Sequence, residues 1–515
     1  GARGLEATAR RDLSHEAAVL VGVLETPRYL GGPVWRRVAI FGDPSRRMGA
    51  LAEAECTHIL AAFELAEELG APIEWVAASS GARIDMASGT ENLDWTARVL
   101  GRIVRFTQAG GEVNIIVAGV CVGAQSYWNA EATMMMHTRG LLIMTDAGSM
   151  VLTGKRALDI SGCVSAEDDV MLGGHASVMG PNGQAQVHAL DLVDAYRKLY
   201  RYYELTHCPP GERRPPMSAS SDPPGRDIGL SWYPEATGHG FNTVGELFCD
   251  RRNAGRKRPF SVRPIMAALA DVDAPHLERW GAMRDAESAV VWEARVGGHA
   301  CTLIGIDNTA TPRVGPPAVE GPRALAGGTL YPHSSRKIAR ALNAASGRRP
   351  AVVLANLSGF DGSPESLAHW QLEYGAEIGR AVVNFDGPIL FVVLSRYHGG
   401  AYVVFSKTLN PKLHAVALEG SYASVIGGAP AATVVFAGEV RKRSRELGGG
   451  DEAHAAAVTE LAGRFDAVHT VERARTVGSI DGIVAAQRLR PYLVERLALD
   501  HEAALSAGAP PAPPP

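Results

Sequence analysis

The sequence of 515 residues lacks several features that would place it in a simple class. Its 6 cysteines include no Cys-x-x-Cys pair, which excludes a zinc ribbon and a dithiol redox motif. So few scattered thiols favour a reducing cytoplasm over a disulfide framework. No apolar run reaches the length of a membrane span, and the polar N-terminus does not resemble a signal peptide. The formal net charge of −4 gives no sign of a nucleic-acid partner.

Side-chain patterns for catalysis and metal binding are also scarce. We find no persuasive Ser-His-Asp set, carboxylate pair or metal cluster, so we expect no metal site. The chain starts at Gly1 without Met, and we therefore expect it to be a region of a longer polypeptide.

What the sequence does contain is a regular alternation of strands and helices. Its 46% hydrophobic content is ordinary for a globular protein, and the length favours two or more domains. After a helix expected around 14–24, apolar periodicity predicts helices and strands in turn. In the first half we predict a helix over 51–69, a strand over 73–78, a helix over 92–109 and a strand over 113–118. This order indicates an α/β fold with mostly parallel strands.

The region 205–260 interrupts the alternation with a stretch rich in Pro, Ser and charge. We predict a domain boundary there. The predicted divisions are an N-terminal domain over 1–225, a linker or long loop over 226–260, a C-terminal domain over 261–450, and a helical segment with a Pro-rich tail over 451–515.

The second half repeats the order of the first. A β-hairpin around Gly297-Gly298, a strand over 351–357, a helix over 367–382 and a strand over 389–394 follow one another. Gly81 and Gly123 in the first half have nearly the same spacing as Gly359 and Gly400 in the second, which favours two copies of one fold. Two parallel α/β segments of similar length would also align in this way. Each copy ends a strand in a Gly-rich turn, where backbone N–H groups can hold an oxyanion without a catalytic side chain.

Several motifs then resemble one family, the carboxyltransferase components of biotin-dependent acyl-CoA carboxylases, and above all the carboxyltransferase region of bacterial single-chain enzymes. The resemblance covers roughly residues 15 to 445. The matching stretches are Ser80-Gly-Ala-Arg-Ile-Asp-Met86, Gly123-Ala-Gln-Ser-Tyr-Trp-Asn-Ala-Glu131, Leu152-Thr-Gly-Lys155, Leu354-Ala-Asn-Leu-Ser-Gly-Phe-Asp-Gly-Ser-Pro-Glu365, Tyr374-Gly-Ala-Glu377, Tyr397-His-Gly-Gly-Ala-Tyr402 and Gly427-Gly-Ala-Pro430.

The resemblance implies two tandem crotonase-like domains, each a β-β-α superhelix. The first would bind the acyl-CoA and the second carboxybiotin, with the site formed between subunits of a dimer or a trimer of dimers. The implied reaction moves the carboxyl group of carboxybiotin to the α-carbon of an acyl-CoA, of the acetyl-CoA or propionyl-CoA class. Biotin would arrive on a carrier and not be attached to this chain. No Met-Lys-Met biotinylation site and no Gly-rich ATP-binding segment is present, so a biotin carboxylase and a biotinyl carrier are implied partners.

Carried onto this sequence, the family's features imply two pairs of oxyanion donors and two binding stretches. The N–H groups of Gly123 and Ala124 would hold the thioester oxyanion, and those of Gly400 and Ala401 the ureido oxyanion. The candidate residues for acyl-CoA binding are Ser80, Gly81, Ala82 and Arg83. Those for biotin binding are Tyr397, His398 and Gly399.

Individual side chains leave alternatives open. Arg83 suits a CoA phosphate, but a salt bridge that holds the turn is as good an interpretation. His398 suggests acid/base chemistry, although a role in shaping the biotin pocket fits a mechanism in which biotin is the base. Lys155 and the basic run 251–258 are expected on solvated surfaces, and 134–137 in core packing.

Two other functions remain open at this point. A biotin-independent crotonase-type hydratase or decarboxylase would need a carboxylate near Gly123, and Glu131 is the nearest in sequence. A non-catalytic subunit that docks a carrier is the third possibility, although it would not need Gly-Ala turns in both halves.

Overall fold

A computed structural model describes residues 17–27, 34–162, 166–234, 238–313, 321 and 323–507. It confirms the α/β class and shows two sheets, each built by one half of the chain. The strands of the first half are Val19–Thr26 (β1), Trp35–Gly42 (β2), Ile73–Ser79 (β3), Val113–Val122 (β4), Leu142–Thr145 (β5), Ser149–Val151 (β6) and Val187–Ala189 (β7). Its helices are Glu53–Leu69 (α1), Thr90–Gln108 (α2), Ala124–Thr133 (α3), Lys155–Ser161 (α4), Asp169–Gly173 (α5) and Leu192–Thr206 (α6).

The second half has more elements, several of them short. Its strands are Leu277–Arg279 (β8), Ala289–Val296 (β9), His299–Ile306 (β10), Thr311–Pro312 (β11), Ala324–Leu325 (β12), Thr329–Leu330 (β13), Ala351–Leu357 (β14), Gly359–Phe360 (β15), Ile389–His398 (β16), Leu413–Leu418 (β17), Tyr422–Ser424 (β18) and Gly482–Val484 (β19). Its helices are Val244–Leu247 (α7), Arg263–Leu269 (α8), Pro332–Ala345 (α9), Pro364–Ala368 (α10), Gln371–Val383 (α11), Gly399–Val404 (α12), Gly428–Pro430 (α13), Ala437–Glu446 (α14), Gly450–Val468 (α15), Val471–Thr476 (α16) and Leu489–Ser506 (α17).

The two sheets follow one plan. The first has the order β1-β2-β3-β4-β5-β7, and the second β19-β17-β16-β14-β10-β9-β8. In each, an antiparallel hairpin (β1–β2 or β9–β10) leads into parallel strands (β3 and β4, or β14 and β16). A short strand, β6 or β18, then pairs with the far end of the longest strand.

The repeat extends to an irregularity in the ladder. Ala77 pairs with Val117, but Ser79 pairs with Cys121, so β4 contains a bulge relative to β3. In the second sheet Ala355 pairs with Val393, and Leu357 with Tyr397, which is the same bulge. Bulges re-aim the residues that follow them, and here both precede a Gly turn. This shared detail is strong support for two copies of one fold.

Helices cover both faces of each sheet, as the near-continuous apolar strands require. One face of the first sheet packs against α1, α2 and α3, and the other against α6. The second sheet is buried between α9 and α11 on one face and α8 and α17 on the other. Among the described residues, no helix is both long and apolar enough to cross a membrane.

Three local expectations differ from the structure. The helix predicted around 14–24 is wrong where it is described: β1 begins at Val19, and residues 14–16 lie outside the described residues. The predicted linker over 226–260 has little regular structure, yet several of its apolar side chains, among them Phe241 and Leu247, are buried against the second sheet. The second sheet also extends past residue 450, because β19 pairs with β17.

The halves meet through buried polar contacts. Arg340 on α9 donates to the carbonyls of Gly183 at 2.7 Å and Thr133 at 3.0 Å. Arg279 donates to the side chain of Gln186 and pairs with the fully buried Glu293. Such satisfied buried groups fix one relative placement of the two sheets.

Candidate active site

The first turn lies at the carboxyl end of β4. Gly123 has a left-handed φ of 56°, which a residue with a Cβ rarely adopts, and it opens α3. Its N–H donates to the carbonyl of Val151 at 2.9 Å. The next two N–H groups, of Ala124 and Gln125, have no acceptor in the described part of the chain. These two groups are the donors that the first turn offers to a ligand.

The second turn has the same construction. Gly399 has a φ of 67°, opens α12 and donates its N–H to the carbonyl of Val425 at 3.1 Å. The N–H groups of Gly400 and Ala401 follow, and no described residue accepts from them. Phe360 lies beneath Gly400, where an added Cβ would come within 3.1 Å of its ring.

The equivalence of the two turns corrects one prediction. The sequence spacing aligned Gly123 with Gly400, but the strand register and the valine-carbonyl contacts align Gly123 with Gly399. The N–H of Gly123 already donates to Val151, so the N–H groups without an acceptor in the first turn are those of Ala124 and Gln125. Gly123 sets the backbone direction of the donors after it.

The stretch predicted to bind acyl-CoA forms a loop after β3 that is held by hydrogen bonds. Ser80 donates its N–H to the carbonyl of Met48 at 3.0 Å, and Gly81 donates to Ser79 Oγ at 3.0 Å. Leu51 exchanges hydrogen bonds with the loop on both sides of Ala82, at 2.8 and 2.7 Å. The loop is therefore held against residues 48–51, and its only cation is Arg83.

Arg83 partly fulfils both interpretations that the sequence left open. Its Nη2 lies 3.6 Å from Glu55 Oε2, which is a long ion pair. Its Nε is buried and has no hydrogen-bond partner among the described residues. An unsatisfied buried donor of this kind costs about 1–3 kcal/mol, and an anionic ligand would satisfy it.

Arg83 lines a cavity of about 710 Å³, a volume typical of ligand sites. Arg46 and Arg47 also line it, and the sequence interpretation missed both. Arg47 and Met48 have left-handed φ values of 50° and 55°, a strained conformation that often marks functional loops. The adjacent arginines just before α1 were the available signal. The described lining is Arg46, Arg47, Ala52, Glu53, Ala54, Glu55, Arg83, Ser88, Glu91, Asn92 and Trp95.

The side chains predicted to bind biotin lie behind the second turn. Tyr397 is buried and its Oη donates to the carbonyl of Tyr402 at 3.1 Å. His398 is also buried, and its Nδ1 lies 3.1 Å from Ser424 Oγ. Burial lowers the pKa of His398, which keeps the imidazole neutral at neutral pH. This placement favours a role in shaping the turn over direct contact with a ligand.

The remaining candidates fall outside the two turns. Lys155 pairs with Asp159 at 2.7 Å, as expected for a surface lysine. Met134 is buried, and His137 Nε2 lies 3.2 Å from Thr107 Oγ1, as expected for packing. The basic run 251–258 is not uniformly solvated, because Arg256 is buried. No group of three or more metal-ligating side chains occurs among the described residues.

Glu131 does not support a hydratase. It lies near the end of α3, seven residues after Ala124, which at 1.5 Å per residue is about 10 Å along the helix. The turns themselves therefore offer main-chain donors without a nearby acid or base from α3.

Comparison with known proteins decides the family. The carboxyl transferase domain matches residues 36–510. The chain belongs to the carboxyl transferase domain family. It is 26% identical over 339 residues to an acetyl-CoA carboxylase of Dictyostelium discoideum, covering 62% of this chain but 14% of that protein. It is 25% identical over 382 residues to the biotin-dependent acetyl-/propionyl-coenzyme A carboxylase beta6 subunit of Mycobacterium tuberculosis, covering 73% of this chain and 69% of that subunit.

The fold is shared with a solved carboxyl transferase. Transcarboxylase 12S, solved as a hexamer with methylmalonyl-coenzyme A and methylmalonic acid bound, superposes with a TM-score of 0.74 at 21% identity. The match covers 94% of this chain and 81% of that one. The predicted pair of crotonase-like domains is thereby confirmed as the fold of this carboxyl transferase domain. The chain spans about one seventh of the length of the Dictyostelium relative.

Proposed function

We propose that this chain transfers a carboxyl group from carrier-borne carboxybiotin to the α-carbon of an acyl-CoA of the acetyl-CoA or propionyl-CoA class. The observation that carries the proposal is the duplicated turn, in which two successive N–H groups follow a hydrogen-bonded glycine in each half. A reaction with two oxyanions, one on the thioester and one on the ureido ring, needs two such sites.

The chain's own part is electrostatic and positional. The N–H groups of Ala124 and Gln125 would hold the thioester oxygen as it gains charge, and those of Gly400 and Ala401 the ureido oxygen. Carboxybiotin would supply the CO2 and the nitrogen base, so the buried His398 before the second turn need only shape that turn. Arg83, Arg46 and Arg47 would bind CoA phosphates in the 710 Å³ cavity.

We propose further that the site is completed by a second copy of this chain. Apolar side chains are exposed around both turns, which is unusual for a surface that stays in water. Val425 is 86% exposed beside the second turn, and Leu152, whose carbonyl lies next to Gly123, is 66% exposed. A biotin carboxylase and a biotinyl carrier are the other partners that this activity requires.

A reconstituted assay tests the function. The chain is combined with biotin carboxylase, biotinylated carrier, ATP and bicarbonate, and acetyl-CoA, propionyl-CoA and a longer acyl-CoA are offered in turn. We expect a carboxylated CoA thioester by mass spectrometry, and none when unbiotinylated carrier replaces the biotinylated form. Lack of product with every acyl-CoA would overturn the proposal, and turnover without biotin would favour a hydratase or decarboxylase.

A further inference from the structure

A loop from the segment between the two sheets inserts a buried cation behind the second turn. Arg256 is 5% exposed, although its neighbours Arg251 and Lys257 are exposed. Gly255 and Arg256 both have left-handed φ values, of 56° and 51°. For a residue with a Cβ that conformation costs free energy, so the surrounding structure must impose it.

Asn253 holds this loop in place. It is fully buried, its Nδ2 donates to the carbonyl of Leu247 at 3.1 Å, and its Oδ1 accepts from the N–H of Arg258 at 2.9 Å. The N–H of Arg256 donates to the carbonyl of Asn253 at 2.8 Å. The loop is therefore built to aim one arginine inward.

The guanidinium of Arg256 donates to three neutral oxygens, one on strand β16 and two in the connection from β17 to β18. Nη1 donates to the carbonyl of Leu394 and, at 2.6 Å, to Ser421 Oγ. Nη2 donates to the carbonyl of Glu419. In return, Arg396 donates its Nη1 to the carbonyl of Arg256 at 3.2 Å. A planar guanidinium can bridge acceptors on separate strands, which a single ammonium group cannot do equally well.

These acceptors lie where β16 changes partner. Val393 pairs with β17, whereas Arg396 pairs with β18, so Leu394 lies between the two ladders. Glu419 and Ser421 belong to the connection from β17 to β18. Arg256 thus bridges the point at which β16 passes from β17 to β18.

The same connection sets the second turn. β18 aligns Ser424 with His398, and the next residue, Val425, accepts the N–H of Gly399. That contact leaves the N–H groups of Gly400 and Ala401 as the outward donors. A shift of β18 would therefore move both donors.

No cation lies at the matching place among the described residues of the first half. There β4 changes partner from β5 to β6, and hydroxyl groups bridge the region: Thr145 Oγ1 donates to Val117 at 3.3 Å and Ser126 Oγ to Cys121 at 2.9 Å. The hydrogen bonds of a buried arginine behind the turn are thus a feature of the second half alone among the described residues.

We infer that Arg256 is a positioning residue for the second turn: it fixes β18 against β16 and so holds the N–H groups of Gly400 and Ala401 toward the ureido oxyanion. The inference rests on the proposed function for its catalytic consequence, while its structural consequence is measurable without any reaction. The basic run 251–258, which the sequence predicted to be a solvated surface, thereby gains a structural role.

The test compares Arg256→Met and Arg256→Lys with Lys257→Met, an adjacent exposed control, in the full chain. The first measurement is amide hydrogen exchange followed by mass spectrometry. In Arg256→Met we expect faster exchange over 396–405 and 421–425, with exchange over 120–133 unchanged. Wild-type exchange over 396–405 in both Arg256 variants would overturn the inference, whether or not the chain carboxylates anything.

The second measurement separates the two turns kinetically. We expect Arg256→Met to lower kcat for carboxyl transfer by about 10- to 100-fold, with KM for acyl-CoA within about twofold of wild type. CO2 release from carboxybiotin without acyl-CoA should fall by a similar factor, because it uses only the second turn. Arg256→Lys should recover part of both rates, and Lys257→Met should match wild type.

Two kinetic outcomes decide against the inference. Wild-type kcat in Arg256→Met would overturn it, and so would a lost kcat with CO2 release from carboxybiotin unchanged. If the wild-type chain itself gives no carboxyl transfer, the proposed function fails, and the exchange measurement still decides the role of Arg256.

Discussion

Gly123 and Gly399 hold the same position in two copies of one fold. Each follows a bulged strand, has a left-handed φ and donates its N–H to a valine carbonyl at the end of a short neighbouring strand. Val151 is the last residue of β6, and Val425 directly follows β18. The donors available to a ligand are therefore the residues after each glycine. This relationship determines which substitutions separate the chemistry of the turns from their folding.

Replacement of Ala124 by proline removes one outward N–H. Proline is well tolerated at the first position of a helix, because the N–H there has no partner within the helix. We expect Ala124→Pro to lower kcat by about 100-fold or more, with an almost unchanged melting temperature. Leu192→Pro, at the first position of α6, is the matched control and should keep wild-type kcat. An active Ala124→Pro enzyme would remove this N–H from the mechanism.

Alanine at Gly399 should strain the second turn. Its left-handed φ costs about 1–2 kcal/mol for a residue with a Cβ, and relief of the strain would rotate the donors. We expect a lower urea midpoint and a lower kcat for Gly399→Ala, and the same for Gly123→Ala. Gly463→Ala is the control: it lies in α15 with open space around it, so alanine should stabilise it by about 1 kcal/mol. Equal changes in urea midpoint and kcat for the three variants would contradict the argument that left-handed φ values cause the strain.

Loss of the Arg83 charge should weaken acyl-CoA binding without slowing the chemistry. We expect Arg83→Met to raise KM for acyl-CoA about tenfold at constant kcat, as for one charge-assisted hydrogen bond. Arg105→Met, on the exposed surface of α2, should leave KM unchanged. Comparison of CoA with dephospho-CoA thioesters would show which phosphate Arg83 meets. A wild-type KM in Arg83→Met would leave the salt bridge to Glu55 as its role.

Lys337 should make stability depend on alkaline pH. Burial lowers the pKa of Lys337 to about 8 from 10.5, although Glu278 and Glu287 partly oppose the shift. Its Nζ donates to the carbonyl of Ala286 at 3.5 Å. Between pH 8 and 10.5 the unfolded chain keeps a proton that the folded chain has released at Lys337, so the contribution of Lys337 to the free energy of unfolding rises with pH. The rise is about 3 kcal/mol. The free energy of unfolding of Lys337→Met, measured in urea, should lack this contribution and should be higher than that of wild type at pH 7. The Lys257→Met control should keep the pH dependence of wild type.

The sequence predicted the parallel strands well because their apolar runs are local signals. The strand over 351–357 has the predicted bounds, and β16 differs only by extending four residues past Leu394 into the turn. The hairpin around Gly297-Gly298 is confirmed as well, since both glycines have the positive φ that a tight turn requires.

The errors arose where a distant part of the chain decides the structure. β1 has half-exposed alternating residues and becomes a strand by pairing with β2. β19 has only three residues, and its partner β17 lies more than sixty residues earlier. Arg256 is buried by strands that no local pattern around it reveals. Sequence spacing also could not show that the N–H of Gly123 donates to the carbonyl of Val151.

The place of β19 has a consequence for how the chain emerges from the ribosome. The first sheet uses residues 19–189 and can assemble while the rest is still being translated. The second sheet waits for residue 484, and until then β17 presents an open edge to other nascent chains. Completion of the second sheet is therefore a later event than completion of the first.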